Sequence, residues 1–177
     1  MNILITGNTG YIGPVVIDAL KKKYPHFNYI GIDTGFFVRD LMIKDQLPER
    51  KFNIQYWEDV RKLPKNIFDN IDAVIHLAAI SNDPMGNKFE KVTNDINLEA
   101  SVKIAKLSKE AGVKNFVFAS SCSVYGFAGE SARTEGDELN PLTAYAKSKI
   151  GVENKIKDFA TEKFIVTSLR FATACGW

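Results

Sequence analysis

The sequence predicts a doubly wound parallel α/β sheet, and three observations predict it. Short apolar runs suited to buried strands alternate with stretches of helical periodicity. The first run passes directly into a glycine-rich turn that opens a helical stretch. The fourth run, Ala73 to Leu77, is almost continuously apolar, as a strand covered on both faces must be. The expected strand order is 3-2-1-4-5-6, in one domain spanning 1–177.

Taken in order, Asn2 to Thr6 is the first strand, ended by Gly7. Tyr11 to Lys23 reads as a helix, because Ile12, Val15, Val16, Ala19 and Leu20 fall at i, i+3, i+4, i+7 and i+8 and share a face. Lys21, Lys22 and Lys23 suit the C-terminal end of that helix. Asn28 to Ile32 is the second strand, closed by Asp33. The pattern from Thr34 to Lys51 is weak, with a short helix expected over Val38 to Gln46. Phe52 to Trp57 and Ala73 to Leu77 are the third and fourth strands. A long helix is expected from Lys88 to Ala111, stopped by Gly112. Asn115 to Ala119 is the fifth strand, Thr143 to Thr161 the next helix, and Phe164 to Leu169 the last strand.

Composition narrows the function. An apolar fraction of 45% with 25% charged residues excludes a disordered or fibrous chain. No run of 18 apolar residues spans a membrane, and no basic stretch precedes an apolar one at the N-terminus, so neither a membrane segment nor a signal peptide is expected. The 23 basic and 21 acidic side chains give no case for nucleic-acid binding. Cys122 and Cys175 are too few for a disulfide scaffold, and reduced thiols in a cytoplasmic protein are expected. No metal site is expected.

The turn Gly7-Asn8-Thr9-Gly10-Tyr11-Ile12-Gly13 has the form G-x-x-G-x-x-G at a strand-to-helix junction. Glycine tightens such a turn and lets the backbone approach a pyrophosphate, which the free N–H groups of the helix start then bind. Pro14 is compatible, since first-turn N–H groups have no helical partner to lose. Asp33 lies 20 residues past Gly13, at the end of the second strand. A carboxylate there accepts hydrogen bonds from adenosine ribose hydroxyls and repels a 2′-phosphate, which favours NAD over NADP. Asp59 and Val60, after the third strand, are suited to the edge and face of adenine.

Tyr145 and Lys149 stand four apart on a predicted helix and so share a face. An ammonium beside a phenol favours the phenolate, and a tyrosine so tuned can take a proton from an alcohol near neutral pH. Ser121 falls at the end of the fifth strand, where ligands meet open α/β sheets, and its hydroxyl can hold the same substrate oxygen.

Four segments together, Thr6 to Gly13, His76-Leu77-Ala78-Ala79, Ser120 to Gly126 and Tyr145-Ala146-Lys147-Ser148-Lys149, resemble the extended short-chain dehydrogenase/reductase family, in its nucleotide-sugar epimerase and dehydratase branch. The resemblance implies an NAD-binding Rossmann fold. It implies Gly7, Gly10, Tyr11, Ile12 and Gly13 as the dinucleotide loop, Asp33 as the ribose acid, and Asp59 and Val60 as the adenine pair. Leu77, Ala78 and Ala79 would lie beside the nicotinamide ribose, with Asn97 near the active site. Ser121, Tyr145 and Lys149 would be catalytic, Lys149 also holding the nicotinamide ribose. His76 is read as a satisfied strand histidine.

The resemblance further implies NAD-dependent epimerisation of a nucleotide-linked sugar through a keto intermediate, and a homodimer through the two long helices. It also implies that this chain is the cofactor-binding part of a longer enzyme, lacking the C-terminal substrate domain and inactive by itself. Thr173 stands where sugar epimerases commonly carry asparagine. Cys122 and Ser123 stand where 4,6-dehydratases carry acids, which disfavours dehydration. The alternatives are an NAD-dependent dehydratase or dehydrogenase/reductase, or a dinucleotide-sensing regulator without catalysis.

Overall fold

The computed structural model describes residues 1–38, 47–81, 88–127 and 132–175. Its six strands are β1 (Asn2–Thr6), β2 (Asn28–Asp33), β3 (Ile54–Trp57), β4 (Ala73–His76), β5 (Asn115–Ser121) and β6 (Ile165–Phe171). They form one sheet in the expected order, β3-β2-β1-β4-β5-β6, with every neighbouring pair parallel. The helices are α1 (Gly13–Lys23), α2 (Glu90–Asn94), α3 (Ser101–Glu110) and α4 (Ala144–Ile156), with a π-helical stretch, Asp95–Ala100, joining α2 to α3. Gly112 follows α3 at φ 82°, the left-handed stop that its position predicted. Beyond Val38, the short helix expected to Gln46 lies outside the described residues.

Strand alternation divides the core in two. Ile3 and Ile5 face α1 and pack with Ile17, Tyr29 and Phe52. Leu4, Ile30, Ile32, Val74, Phe116 and Phe118 face the other way, against Ile104 and Ala105 of α3 and Val152 and Ile156 of α4. Each such fully buried side chain contributes roughly 1.5–3 kcal/mol. Val166, Ser168 and Arg170 of β6 are half-buried, whereas Ile165, Leu169 and Phe171 on its other face are exposed.

The face of α1 differs from the expected one. Gly13, Pro14 and Ile17 are buried, Val16 and Leu20 pack beside them, and Val15 and Ala19 turn outward. Gly13 fixes this rotation: a Cβ there would sit 2.1 Å from the Asn8 carbonyl oxygen, so the Gly13 side of the helix must lie against the loop. Ile17, four residues on, shares that side. Lys51 adds a tie from the segment before β3, with its ammonium 2.6 Å from Asp18 of α1.

Gly13→Ala is therefore expected to displace the loop backbone and lower stability by roughly 1–3 kcal/mol. Urea denaturation beside Gly136→Ala, where an added Cβ meets nothing within 4 Å, checks it. Equal midpoints for the two variants would refute the close approach.

Candidate active site

The sequence-predicted residues gather along the C-terminal edge of the sheet, the ligand edge of an open α/β fold. The glycine loop follows β1, Asp33 ends β2, Asp59 and Val60 follow β3, Leu77 to Ala79 follow β4, and Ser121 ends β5. At the loop, Gly7 adopts φ 71° and the Gly10 N–H donates to the Gly7 carbonyl at 3.1 Å. The Asp33 carboxylate accepts from the Thr9 N–H at 3.1 Å and the Gly35 N–H at 2.9 Å, which seats it against the loop. The N–H groups of Ile12 and Gly13 have no partner among the described residues. They belong to the N-cap and first residue of α1, where helix N–H groups lack intrahelical partners and suit an anion.

Asp59 and Val60 are placed differently from each other. The Asp59 carboxylate is gripped by the Arg61 guanidinium at 2.6 Å, and hydrogen bonding to Arg61 holds its carboxyl below the usual range. Val60 is buried in the core. Asn97, in the π-helical stretch, is buried with its amide committed to backbone. Its Oδ1 accepts from the Ile80 N–H at 2.8 Å and its Nδ2 donates to the Ile80 carbonyl at 2.9 Å. It thus fixes the segment that leaves Leu77, Ala78 and Ala79 half-buried along the edge. Tyr11 is exposed.

Helix α4 starts at a capped end, where the Thr143 hydroxyl accepts from the Ala146 N–H at 3.1 Å. That cap places Tyr145 in the first turn and Lys149 one turn on. Lys149 is buried, and its ammonium donates to the Ala119 carbonyl at 2.7 Å. Nζ lies 4.8 Å from the Phe118 ring centre and 5.3 Å from that of Tyr145. Burial pulls the Lys149 pKa down to about 7, against an opposing pull from Glu153. Ser121 ends β5 two residues past Ala119, half-buried, with Oγ accepting from the Ser123 N–H at 3.2 Å. The tyrosine, the lysine and the serine-bearing strand are thus brought together.

Several contributors escaped the sequence reading. Glu153 accepts from the Ser120 hydroxyl and pairs with Arg170 at 2.8 Å, and Arg170 also donates to the Tyr125 hydroxyl at 2.8 Å. This network ties α4, β5, the turn after it and β6. Glu153 stands four residues past Lys149, a spacing that signals a shared face. The Ser123 Oγ is buried without a hydrogen-bond partner among the described residues, two positions from Ser121. Asn8 is buried and donates to Gln55 at 2.7 Å, bracing the loop from β3.

Fold and edge define a dinucleotide-binding α/β protein with a Ser, Tyr and Lys constellation. Residues 3–177 match the model of the NAD dependent epimerase/dehydratase family, and the chain belongs to that family. It is 31% identical to the uncharacterized UDP-glucose epimerase YtcB of Bacillus subtilis, over 99% of this chain and 57% of that protein. It is 30% identical to a UDP-glucose 4-epimerase of Lactobacillus helveticus, over 99% of this chain and 52% of that one. Among solved structures it is similar to TunA, described as an NAD-dependent NDP-hexosamine 5,6-dehydratase, with a TM-score of 0.83 and 27% identity over 96% of this chain and 54% of that chain. The chain thus spans about half the length of the relatives it matches. No helix among the described residues is long and apolar enough to cross a membrane.

The buried ammonium carries a pH-dependent cost. Between pH 7 and 10.5 the unfolded chain holds the Lys149 proton and the folded chain does not, so stability from this group rises with pH across that window. Below pH 7 both states are protonated and the full penalty applies. Lys149→Met is expected to stabilise the chain by roughly 1–3 kcal/mol at pH 6, with the gain shrinking towards pH 10. Urea titrations of both forms at the two pH values check it; a gain independent of pH would be the contrary result.

Proposed function

We propose that the chain is the cofactor-binding and catalytic half of an NAD-dependent epimerase acting on a nucleotide-linked sugar. The observation that carries this reading is the buried Lys149 one helical turn from Tyr145, at the strand end that bears Ser121. The residues fit the cofactor. Two N–H groups at the start of α1, without a partner among the described residues, suit its pyrophosphate, and a Cβ on Gly7 or Gly13 would collide with backbone at the cradle. Asp33 suits the adenosine ribose, and Lys149 and Tyr145 the nicotinamide end. The names of the similar proteins, UDP-glucose epimerases and an NAD-dependent dehydratase, support the substrate class.

When bound, NAD supplies a reversible hydride acceptor. The chain's own residues handle the proton and the geometry. Tyr145, as phenolate, takes the proton of a sugar hydroxyl through Oη, and returns it when the keto sugar has turned its other face. Lys149, protonated at and below neutral pH, stabilises the phenolate by its charge, and its Nζ lies 5.3 Å from the Tyr145 ring centre. The Ser121 hydroxyl holds the reacting oxygen. Cys122 and Ser123 offer no carboxylic acid to expel a hydroxyl, which favours epimerisation over dehydration. A sensor without catalysis has no use for an ammonium whose burial costs stability. A homodimer through the α2–α3 and α4 helices belongs to the same proposal, as does a cytoplasmic setting.

Calorimetric titration is expected to show NAD binding, with NADP at least about tenfold weaker because the Asp33 carboxylate faces the 2′-phosphate. Asp33→Ala should narrow the gap, and equal affinities in the parent chain would remove the argument. Tyr145→Phe is expected to keep NAD affinity within about twofold. In a form extended to the length of its relatives and supplied with UDP-glucose, it should lower kcat by roughly 10²- to 10⁴-fold. Near-normal turnover would exclude Tyr145 as the base.

A further inference from the structure

His76 closes β4, fully buried, and the proposed chemistry makes no use of it. Both ring nitrogens are engaged. Nδ1 lies 2.6 Å from the Thr6 hydroxyl and Nε2 lies 2.7 Å from the Ser101 hydroxyl. The Ser101 hydroxyl lies 2.7 Å from the Asn97 carbonyl oxygen, and the Ala78 N–H donates to the Thr6 oxygen at 3.4 Å. Phe116 and Phe118 flank the ring with centroids at 6.1 Å.

Donor arithmetic leaves one pattern that satisfies every member. A carbonyl only accepts, so Ser101 gives its single proton to Asn97. Nε2 must then carry the proton that Ser101 accepts. A neutral ring protonated at Nε2 offers Nδ1 as a lone pair, so Thr6 donates inward. The remaining lone pairs of Thr6 face the Ala78 amide. The opposite tautomer withdraws the Ser101 proton from Asn97 and leaves the Thr6 proton without an acceptor among the described residues. Burial, with the nearby Lys149 charge, pulls the His76 pKa down to about 3, so the ring is neutral at ordinary pH.

We propose that His76 is a positioning residue of the cofactor site: its Nε2–H tautomer orients the Thr6 hydroxyl to receive the Ala78 amide, and so locks the glycine-loop corner to the end of β4. The corner is tight, since a Cβ on Gly7 would lie 2.6 Å from the Ala78 nitrogen. The same chain of hydrogen bonds ends at Asn97, whose side chain clamps Ile80. The π-helical stretch therefore reaches both the start and the exit of the Leu77–Ala79 segment. This inference rests on the NAD reading only where affinity is measured.

The test is ¹⁵N NMR of the histidine rings, assigned with His26→Gln, since the chain has 2 histidines. The expected result is a proton on Nε2 of His76 and no ring titration down to about pH 4, given burial of the ring. Ser101→Ala removes the acceptor of that proton. The ring should shift towards the Nδ1–H form, the Ala78 amide resonance should move, and NAD affinity should fall by about two- to tenfold. Thr6→Val should lower NAD affinity to a similar extent, and Thr6→Ser, which keeps the hydroxyl, should restore it. An Nδ1–H ring in the parent chain overturns the proposal. So does a Ser101→Ala variant that melts earlier yet keeps the tautomer and the Ala78 resonance. Should the parent chain show no NAD affinity, the cofactor reading falls, and the tautomer and Ala78 results alone decide the wiring.

Discussion

An ammonium buried inside an α/β protein has to be supported from several directions, and Lys149 organises the C-terminal edge of this sheet by that need. Its removal from water costs several kcal/mol unless dipoles and charges replace the solvent. The Ala119 carbonyl supplies a hydrogen bond at 2.7 Å, and the faces of Phe118 and Tyr145 lie within cation–π range. Glu153, one turn along, supplies opposite charge. These partners come from β5 and α4, so the lysine is satisfied only when helix and strand end meet in one relation. That relation also sets the helix that carries Tyr145 against the strand that ends at Ser121.

The glycine loop meets a comparable constraint by sterics instead of charge. Gly7 and Gly13 each stand where a side chain would strike backbone, of Ala78 in one case and Asn8 in the other. The loop is thereby pressed against the end of β4 and the start of α1. Asp33 accepts two backbone N–H groups and closes the same corner from β2. Electrostatics around Lys149 and close approach at the glycine loop are thus separate devices, joined through β4 by the hydrogen bonds of Thr6, His76 and Ser101.

Much of this was legible in the sequence because its signals are local. A strand run into a glycine turn, an acid at the next strand end and a Tyr–Lys pair at helical spacing are each contained in a few residues. The strand order followed from the alternation of elements and held. The phase of α1 was not legible, because Val15 and Ala19 continue one apolar stripe with Val16 and Leu20; contact between Gly13 and Asn8 decided it. The π-helical stretch was hidden for a similar reason. Nothing in Asp95-Ile96-Asn97-Leu98-Glu99-Ala100 departs from helical composition, and the Asn97 clamp on Ile80 is a contact across 17 positions. The pairing of Asp59 with Arg61 spans only two positions, but sequence separation alone does not distinguish a paired carboxylate from one turned to solvent.

The Glu153–Arg170 pair shows how charges far apart in sequence complete the site. Glu153 accepts from Ser120 and Arg170, and Arg170 passes on to the Tyr125 hydroxyl and stacks its guanidinium 5.2 Å from that ring. The Arg170 and Glu153 side chains keep 16% and 11% of their exposure, so loss of either would strand the other in a poorly solvated position. A pair of this kind adds little net stability over apolar residues, but it permits few alternative geometries. It fastens β6 to the turn that follows Ser121 on the side where Val166, Ser168 and Arg170 are half-buried. On the opposite side Ile165, Leu169 and Phe171 are exposed. The edge strand is thus held by its polar face, and that face aligns the serine turn with the helix bearing Tyr145 and Lys149.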